Sequence, residues 1–225
     1  MKILQDDLPL FPLNTVLFPQ AHLPLHIFEP RYREMIERCL KENLAFGIAL
    51  IKEGSEVGGL AIPHTVGTIA HIIDVTRLAD DRLNIVVKGV TRFKLRAHST
   101  ARAYLTGQIE LLPDDIVEPA TVAVAQTYAL QLFERFLRVA HALSTSDAET
   151  ASPDLNLPTD PTALSYLIAS VLPISNRDKQ TLLQIPTTAA RLRRELPILE
   201  REMELLRLLA TPSDTVRDQG TFSLN

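Results

Sequence analysis

The sequence predicts an α+β fold, with a β-rich lobe over residues 1–116 followed by a bundle of helices over residues 117–210. Three observations support this division. Short apolar segments with a period of two fill the first half, turn residues separate them, and long stretches of helical periodicity fill the second half. The last residues, 211–225, are mostly polar and are expected to form a flexible tail.

The β-rich lobe is expected to consist of short strands. Prolines between Pro9 and Pro30 divide its first stretch, because proline fixes φ and lacks a main-chain donor. Leu23, Leu25 and Ile27 then alternate as in a strand with one buried face. The clearest signal is a hairpin of residues 69–78 and 83–95 around a turn at 79–81, with a bulge at Gly89. Two more strands are expected at residues 46–51 and 104–112.

Helices are predicted from periodicity and end signals. A first helix should begin near Pro30, and its apolar positions fall on one face. In the second half a long helix is expected over residues 119–143 and another over 187–210. Between them, Asp160 precedes a proline and Ser175 precedes Asp178 by three residues, which are signatures of helix N-termini. The residues on the apolar face of the first helix are Tyr32, Met35, Ile36, Cys39 and Leu40.

Composition narrows the class of protein. The formal net charge is -4 and the pI is about 5.9, whereas nucleic-acid binders carry a basic excess, so nucleic acid is not an expected partner. A single cysteine, Cys39, cannot form an internal disulfide and suits a reducing compartment. No segment has the pattern of a signal peptide or the length of a membrane span. These features predict a cytoplasmic protein that does not enter membranes.

Residues able to carry catalysis or hold a cofactor are not found in a convincing pattern. The glycine-containing stretch 54–59 is followed by Leu60 and Ala61, where a phosphate loop needs lysine and a hydroxyl residue. Cys39 lies on the apolar helix face and is expected to be a buried, inert thiol. His22 and His26 are separated by Pro24 and do not make a helical metal pair. The paired carboxylates at 80–81 and 114–115 suit turns. We therefore expect no enzyme activity, no cofactor and no metal.

Several motifs, in order along nearly the whole chain, resemble the Lon protease N-terminal (substrate-binding) domain family, especially its stand-alone bacterial members. They are LPLFPLNTVLFP at residues 8–19, LPLHIFEPRY at 23–32, VGTIA at 66–70, NIVVKGVTRF at 84–93 and DKQTLL at 178–183. The resemblance implies a six-stranded, PUA-like β pseudo-barrel followed by a helical lobe. It also implies a module that binds unfolded polypeptide or a partner protein and is linked to protein quality control. The ATPase and peptidase of full-length Lon are not represented in these residues.

Two sets of apolar residues are candidate binding sites. Phe18, Pro19 and Leu23 belong to a proline-rich apolar segment that would hold an unfolded chain if exposed, or would be core if buried. Met203 and Leu206 lie near the end of the last predicted helix, where leucines recur with coiled-coil spacing. This seam either contacts a second copy or partner, or packs on the chain's own helices, and Pro197 favours the second alternative for the helix as a whole. We predict that residues 192–199 pack on the domain, while residues 203–210 contact a second copy or a partner.

A basic stretch is the third candidate. Arg92, Lys94 and Arg96 alternate with apolar residues on a predicted strand, and Lys88 extends the stretch. The interpretations are a surface for an acidic partner or RNA, and an ordinary solvated strand face. An enzyme with dispersed catalytic residues stays open as a further alternative to the binding module, as does RNA binding by analogy with PUA-like folds.

Overall fold

The barrel of the first lobe is a closed ring of five strands. The computed structural model describes residues 4–56, 58–59, 61–114, 119–144 and 155–210, and the predicted tail over 211–225 lies outside them. Parallel pairing of β1 with β3 closes the ring in the order β1-β7-β6-β5-β3, while β2 adds to β6 and β4 adds to β3. The described strands thus number seven instead of the six expected. They are β1 (Leu4–Leu13), β2 (His22–Ile27), β3 (Phe46–Glu53), β4 (Ile62–Pro63), β5 (Val66–Arg77), β6 (Leu83–Ser99) and β7 (Leu105–Leu112).

Helix α1 (Pro30–Glu42) covers one side of the barrel. It begins at the proline that the sequence pointed to, and four of the five residues predicted for its apolar face are buried: Tyr32, Met35, Ile36 and Cys39. These residues pack with inward side chains of the β5–β6 hairpin, including Ile85 and Val87. Burial of this face, at about 25 cal/mol per Å² of apolar surface, is what holds the helix on the sheet.

The predicted bulge at Gly89 is confirmed and has a packing reason. Ile69 pairs with Thr91 and Ala70 with Gly89, so Val90 is an extra residue on β6. A Cβ placed on Gly89 would lie 2.3 Å from the carbonyl oxygen of Phe18. Only glycine lets the loop before β2 approach β6 this closely, and the Gly89 N–H and carbonyl both bond to that loop.

Four helices form the second lobe: α2 (Pro119–Ser144), α3 (Pro161–Val171), α4 (Asn176–Gln184) and α5 (Thr188–Ala210). Both predicted caps are present. The Asp160 carboxylate accepts from the Ala163 N–H at 2.7 Å, and the Ser175 hydroxyl accepts from the Asp178 N–H at 3.1 Å. Helices α2, α3 and α5 enclose an apolar core that includes Phe133, Ile168 and Leu199. Among the described residues, no helix is long and apolar enough to cross a membrane.

The two lobes meet across an apolar contact centred on Phe18. Its side chain is fully buried and packs with Val66 of the barrel and with Tyr166, Leu182 and Leu183 of the helices. The expectation that Phe18 presents an exposed ring to a client is therefore wrong in this conformation. Pro19 is also buried, and Leu23 is half-buried against the barrel core. The helices therefore cover Phe18, whereas Leu23 packs against the barrel and Pro24 is exposed.

Candidate functional site

A buried arginine on β6 fastens the helices to the barrel. The Arg92 side chain is 2% exposed and its Nη1 donates to the carbonyls of Leu183 and Ile185, at 2.9 and 2.6 Å. Its Nη2 lies 3.2 Å from an oxygen of Asp114, in the segment that follows β7. A guanidinium has five donors in a planar fork, so it can serve several carbonyls and a carboxylate at once.

Asp114 joins this arginine to the helical lobe. Its Oδ1 also accepts from Arg191 Nη1 of α5 at 2.8 Å, and its Oδ2 accepts from the Tyr166 hydroxyl of α3 at 2.5 Å. The Arg191 guanidinium lies 3.9 Å from the centre of the Tyr166 ring. The carboxylate thus compensates two buried guanidiniums, and it is not the simple turn residue that the sequence suggested.

The network continues inward to a buried carboxyl group. Arg191 Nε donates to the Ser165 hydroxyl at 2.5 Å, and that hydroxyl donates to Glu195 Oε1 at 3.2 Å. Glu195 is fully buried. Burial raises the pKa of Glu195 to about 8, although Arg191 and the Ser165 hydroxyl act in the opposite direction.

A groove of about 160 Å³ opens to solvent above this network, at the junction of the lobes. Its lining combines apolar side chains with polar and charged ones. Among the large apolar side chains that line the groove, Val90 is the most accessible: it is the extra residue of the bulge and is 42% exposed. Strand β6 pairs with β2 as far as Lys88 and with β7 from Arg92 onward, so the groove lies where β6 changes partner. The lining residues are Pro19, Gln20, Val90, Thr91, Arg92, Leu112, Asp114, Asp160, Thr162, Ala163 and Tyr166.

The charged groups that line the groove are already engaged. Arg92 donates to four carbonyls and Asp114, while Asp114 accepts from Arg92, Arg191 and Tyr166. Asp160 caps α3. The groove therefore presents no uncompensated charge to a ligand, and an uncharged group suits it best.

A larger concavity, about 560 Å³, lies at the far rim of the barrel. It is shallow, and its carboxylate Asp7 is held by Arg38 and Arg102, each at 3.1 Å. The hydrogen bond from Arg102 is the main reason that the pKa of Asp7 is lowered. We prefer the smaller groove as the candidate site because it is more enclosed and lies at the junction of the two lobes.

The predicted basic surface is not formed as expected. Arg92 is buried in the junction, because α3 and α4 cover this part of β6. Arg96 is paired with the buried carboxylate of Glu110 on β7. Lys88 and Lys94 are half-buried. A face of four free cations is therefore a wrong prediction.

The end of α5 is divided between core and surface. Met203 is 2% exposed and belongs to the core of the helical lobe, so its predicted contact with a partner is wrong in this conformation. Leu206 is half-buried against the same core. The exposed apolar residues are Leu205, Leu208 and Leu209. Leu192 and Leu199 pack inward, as the intramolecular interpretation of the seam predicted.

Chemically reactive groups are not assembled elsewhere in the described residues. Among the described residues, no group of three or more histidine, cysteine, aspartate or glutamate side chains is arranged to hold a metal ion. Cys39 is buried, and burial raises the pKa of its thiol to about 11.

Sequence reasoning missed Asp114, Tyr166, Arg191 and Glu195 as members of one network. One signal was present for two of them: Arg191 and Glu195 are charged residues one turn apart, adjacent to the buried Leu192 and Leu199 positions of α5. Charges beside an apolar helix face suggest a buried polar contact. The sequence contains no comparable signal for Asp114.

The barrel and the helical lobe together match a known family of domains. A family profile described as the ATP-dependent protease La (LON) substrate-binding domain matches residues 7–201. The chain belongs to this family.

Similar proteins agree with the assignment. The chain is 31% identical over 219 residues to Lon protease 2 of Syntrophobacter fumaroxidans and 24% identical over 215 residues to Lon protease of Escherichia coli K12. Both matches cover 95% of this chain and 27% of the relative, so the chain spans about a quarter of the length of these relatives.

Two solved structures share the fold. A Lon N-terminal domain protein from Xanthomonas campestris superposes with a TM-score of 0.61 at 25% identity, over 85% of this chain and 97% of that one. The N-terminal domain of the Mycobacterium avium complex Lon protease gives 0.66 at 22% identity, over 86% and 98%.

Proposed function

We propose that these residues form a non-catalytic module that binds segments of other polypeptides, and that the groove between the lobes takes an apolar side chain of the bound segment. The observation that carries the proposal is the groove itself, with its exposed Val90 and its mutually engaged charges. Membership in a substrate-binding domain family supports it. A role in cytoplasmic protein quality control is part of the same proposal.

The groove is tested by placing a charge on its wall. Val90→Asp should weaken binding of reduced, carboxymethylated α-lactalbumin at least about tenfold, because a buried carboxylate opposes an apolar side chain. Fluorescence anisotropy of the labelled client measures the affinity. Val124→Asp is the matched control, since Val124 is an exposed valine on α2 that does not line the groove. Equal affinity of the two variants would exclude the groove, and no binding by the wild-type chain would exclude the function.

The proposal includes no peptidase or ATPase activity of these residues. The stretch after Gly54 lacks the lysine and hydroxyl residue of a phosphate loop. Digestion of casein or turnover of ATP by the pure protein, abolished by a point mutation in this chain, would contradict this part. An RNA-binding role loses support because Arg92 and Arg96 are committed to contacts within the protein.

Self-association through the end of α5 is a separate part of the proposal. Leu208 and Leu209 are 64% and 75% exposed on adjacent positions of the helix. Exposed apolar side chains in a group are typical of contact surfaces. Light scattering of the wild-type chain and of a Leu208→Glu, Leu209→Glu variant tests it. A monomeric mass for both proteins would remove self-association.

A further inference from the structure

The buried carboxyl group of Glu195 is incompletely satisfied. Its Oε1 accepts one hydrogen bond, from Ser165, whereas its Oε2 has no hydrogen-bond partner among the described residues. A buried ionised carboxylate would require more compensation than this. Burial, the largest influence, raises the pKa of Glu195 to about 8, so the group is mainly neutral at pH 7 and loses its proton under mildly alkaline conditions.

Arg191 lies between this carboxyl group and a second one. It is one helical turn before Glu195 on α5, a spacing at which the two side chains can meet. In the structure its Nη1 instead bonds to Asp114 of the barrel side, and it reaches Glu195 only through the Ser165 hydroxyl. The guanidinium therefore has two alternative carboxylate partners, one across the junction and one within its own helix.

The other groups around Arg191 and Glu195 do not decide by their charge whether Arg191 pairs with Asp114 or with Glu195. From α3 the facing groups are Ser165 and Tyr166, and from β6 the facing group is Arg92, which is itself bound to Asp114. Helix α2 contributes apolar side chains such as Phe133 to the core shared with α5. The remaining charged residues and histidines of β6, α2, α4 and α5 are exposed, half-buried or bonded elsewhere: Lys88, Lys94, Arg96, His98, Glu134, Arg135, Arg138, His141, Arg177, Asp178, Lys179, Arg193, Arg194, Glu200, Arg201, Glu202, Glu204 and Arg207.

We propose that Glu195 and Arg191 form a proton-dependent lock between the lobes. When Glu195 carries its proton, Arg191 bonds to Asp114 and holds α5 to the barrel side. When Glu195 releases the proton to solvent, its carboxylate competes for the guanidinium, and Arg191 turns toward Glu195 and leaves Asp114. Asp114 and Tyr166 also line the groove. Control of client binding by the lock rests on the proposed function, whereas the lock itself does not.

The lock can be observed without any client. Tyr166 donates to Asp114 and stacks on Arg191, so the chemical shift of its ring carbon Cζ reports both contacts. The chain has four tyrosines, and Tyr166→Phe assigns the signal in protein labelled with ¹³C at tyrosine Cζ. Burial raises the pKa of Tyr166 itself, which keeps its own ionisation out of the range from pH 6.5 to 9. We expect one transition of the Tyr166 signal in this range, with a midpoint near pH 8.

Variants assign the transition to Glu195. Glu195→Gln should remove it and hold the signal at its low-pH position, and Glu195→Met provides a second uncharged side chain if the amide perturbs the fold. Glu200→Gln is the control: Glu200 lies on the same helix, but it is exposed and bonds to Tyr128. It should keep the transition. A Tyr166 signal that stays constant in the wild-type protein, or a transition that persists without Glu195, overturns the lock. Loss of client binding alone leaves it standing.

Discussion

Arg92 Nη1 lies 2.6 Å from the carbonyl oxygen of Ile185, so a strand of the barrel is tied directly to the residue that ends α4. The same side chain reaches the carbonyls of Pro113, which follows β7, and of Pro186, which lies between α4 and α5. One guanidinium therefore satisfies carbonyl groups that no helix or strand partner serves. The relative position of the two lobes, and with it the shape of the groove, depends on this residue.

Arg92→Lys should destabilise the protein by about 2–4 kcal/mol, because an ammonium keeps the buried charge but cannot serve the carbonyls in a planar fork. Guanidinium unfolding followed by circular dichroism measures the change. Lys94→Arg, two residues along the same strand and half-buried, is the reverse substitution and should change stability by less than about 0.5 kcal/mol. A similar effect of the two substitutions would mean that Arg92 is not the fastening residue.

Gly89→Ala should cost about 2 kcal/mol or more. The added Cβ would meet the Phe18 carbonyl oxygen at 2.3 Å, and neither that main-chain atom nor the bulge can move without breaking the bonds between Gly89 and the loop. Gly59→Ala is the matched control, since a Cβ there meets nothing within 4 Å. Thermal and chemical unfolding should separate the two variants, and equal stability would contradict the close approach.

Phe18→Ala should destabilise the protein by about 3–5 kcal/mol, because it removes a fully buried ring from the contact between the lobes. Phe28 provides the comparison: it is 49% exposed, and Phe28→Ala should cost less than about 1 kcal/mol. Chemical unfolding of both variants decides between core and surface. If Phe18→Ala left stability unchanged and weakened client binding, the alternative interpretation of Phe18 as an exposed contact would be favoured.

Local signals in the sequence predicted most of the elements. Pro30 began α1, residues 79–81 turned the β5–β6 hairpin, and Asp160 and Ser175 capped their helices. Each of these features depends on residues within a few positions of one another, which a pattern can capture. No local signal predicted that the sheet closes into a barrel; that expectation came only from the resemblance to a family.

The candidate site was largely beyond local reasoning. Alternation correctly put Arg92, Lys94 and Arg96 on the face of β6 opposite to Phe93, but it could not show that α3 and α4 cover the first of them. The contact between Arg92 and Ile185 joins residues 93 positions apart. Phe18 illustrates the same limit, since its exposure is decided by helices that begin more than a hundred residues later.

Glu195→Gln should stabilise the protein increasingly as the pH rises. The pKa of Glu195 is about 8 in the folded protein, above the value of about 4.3 that an unfolded chain provides. Below pH 4 Glu195 is protonated in both the folded and the unfolded state, so it does not make the unfolding free energy depend on pH. Between pH 4.5 and 8 the Glu195 carboxyl group is ionised in the unfolded state but keeps its proton in the folded state. The free energy of unfolding therefore falls as the pH rises. This decrease in stability ends once the pH exceeds the pKa of Glu195 in the folded protein.

Glutamine cannot ionise, so the variant should lack that fall. The difference in unfolding free energy between Glu195→Gln and the wild-type protein should grow by about 2–3 kcal/mol from pH 5.5 to 7.5. Urea unfolding at the two pH values measures it. The exposed Glu200 supplies the control, because Glu200→Gln should show a nearly constant difference from the wild-type protein. A constant difference for Glu195→Gln as well would show that Glu195 is already ionised in the folded protein, with the Arg191 side chain as its counter-ion.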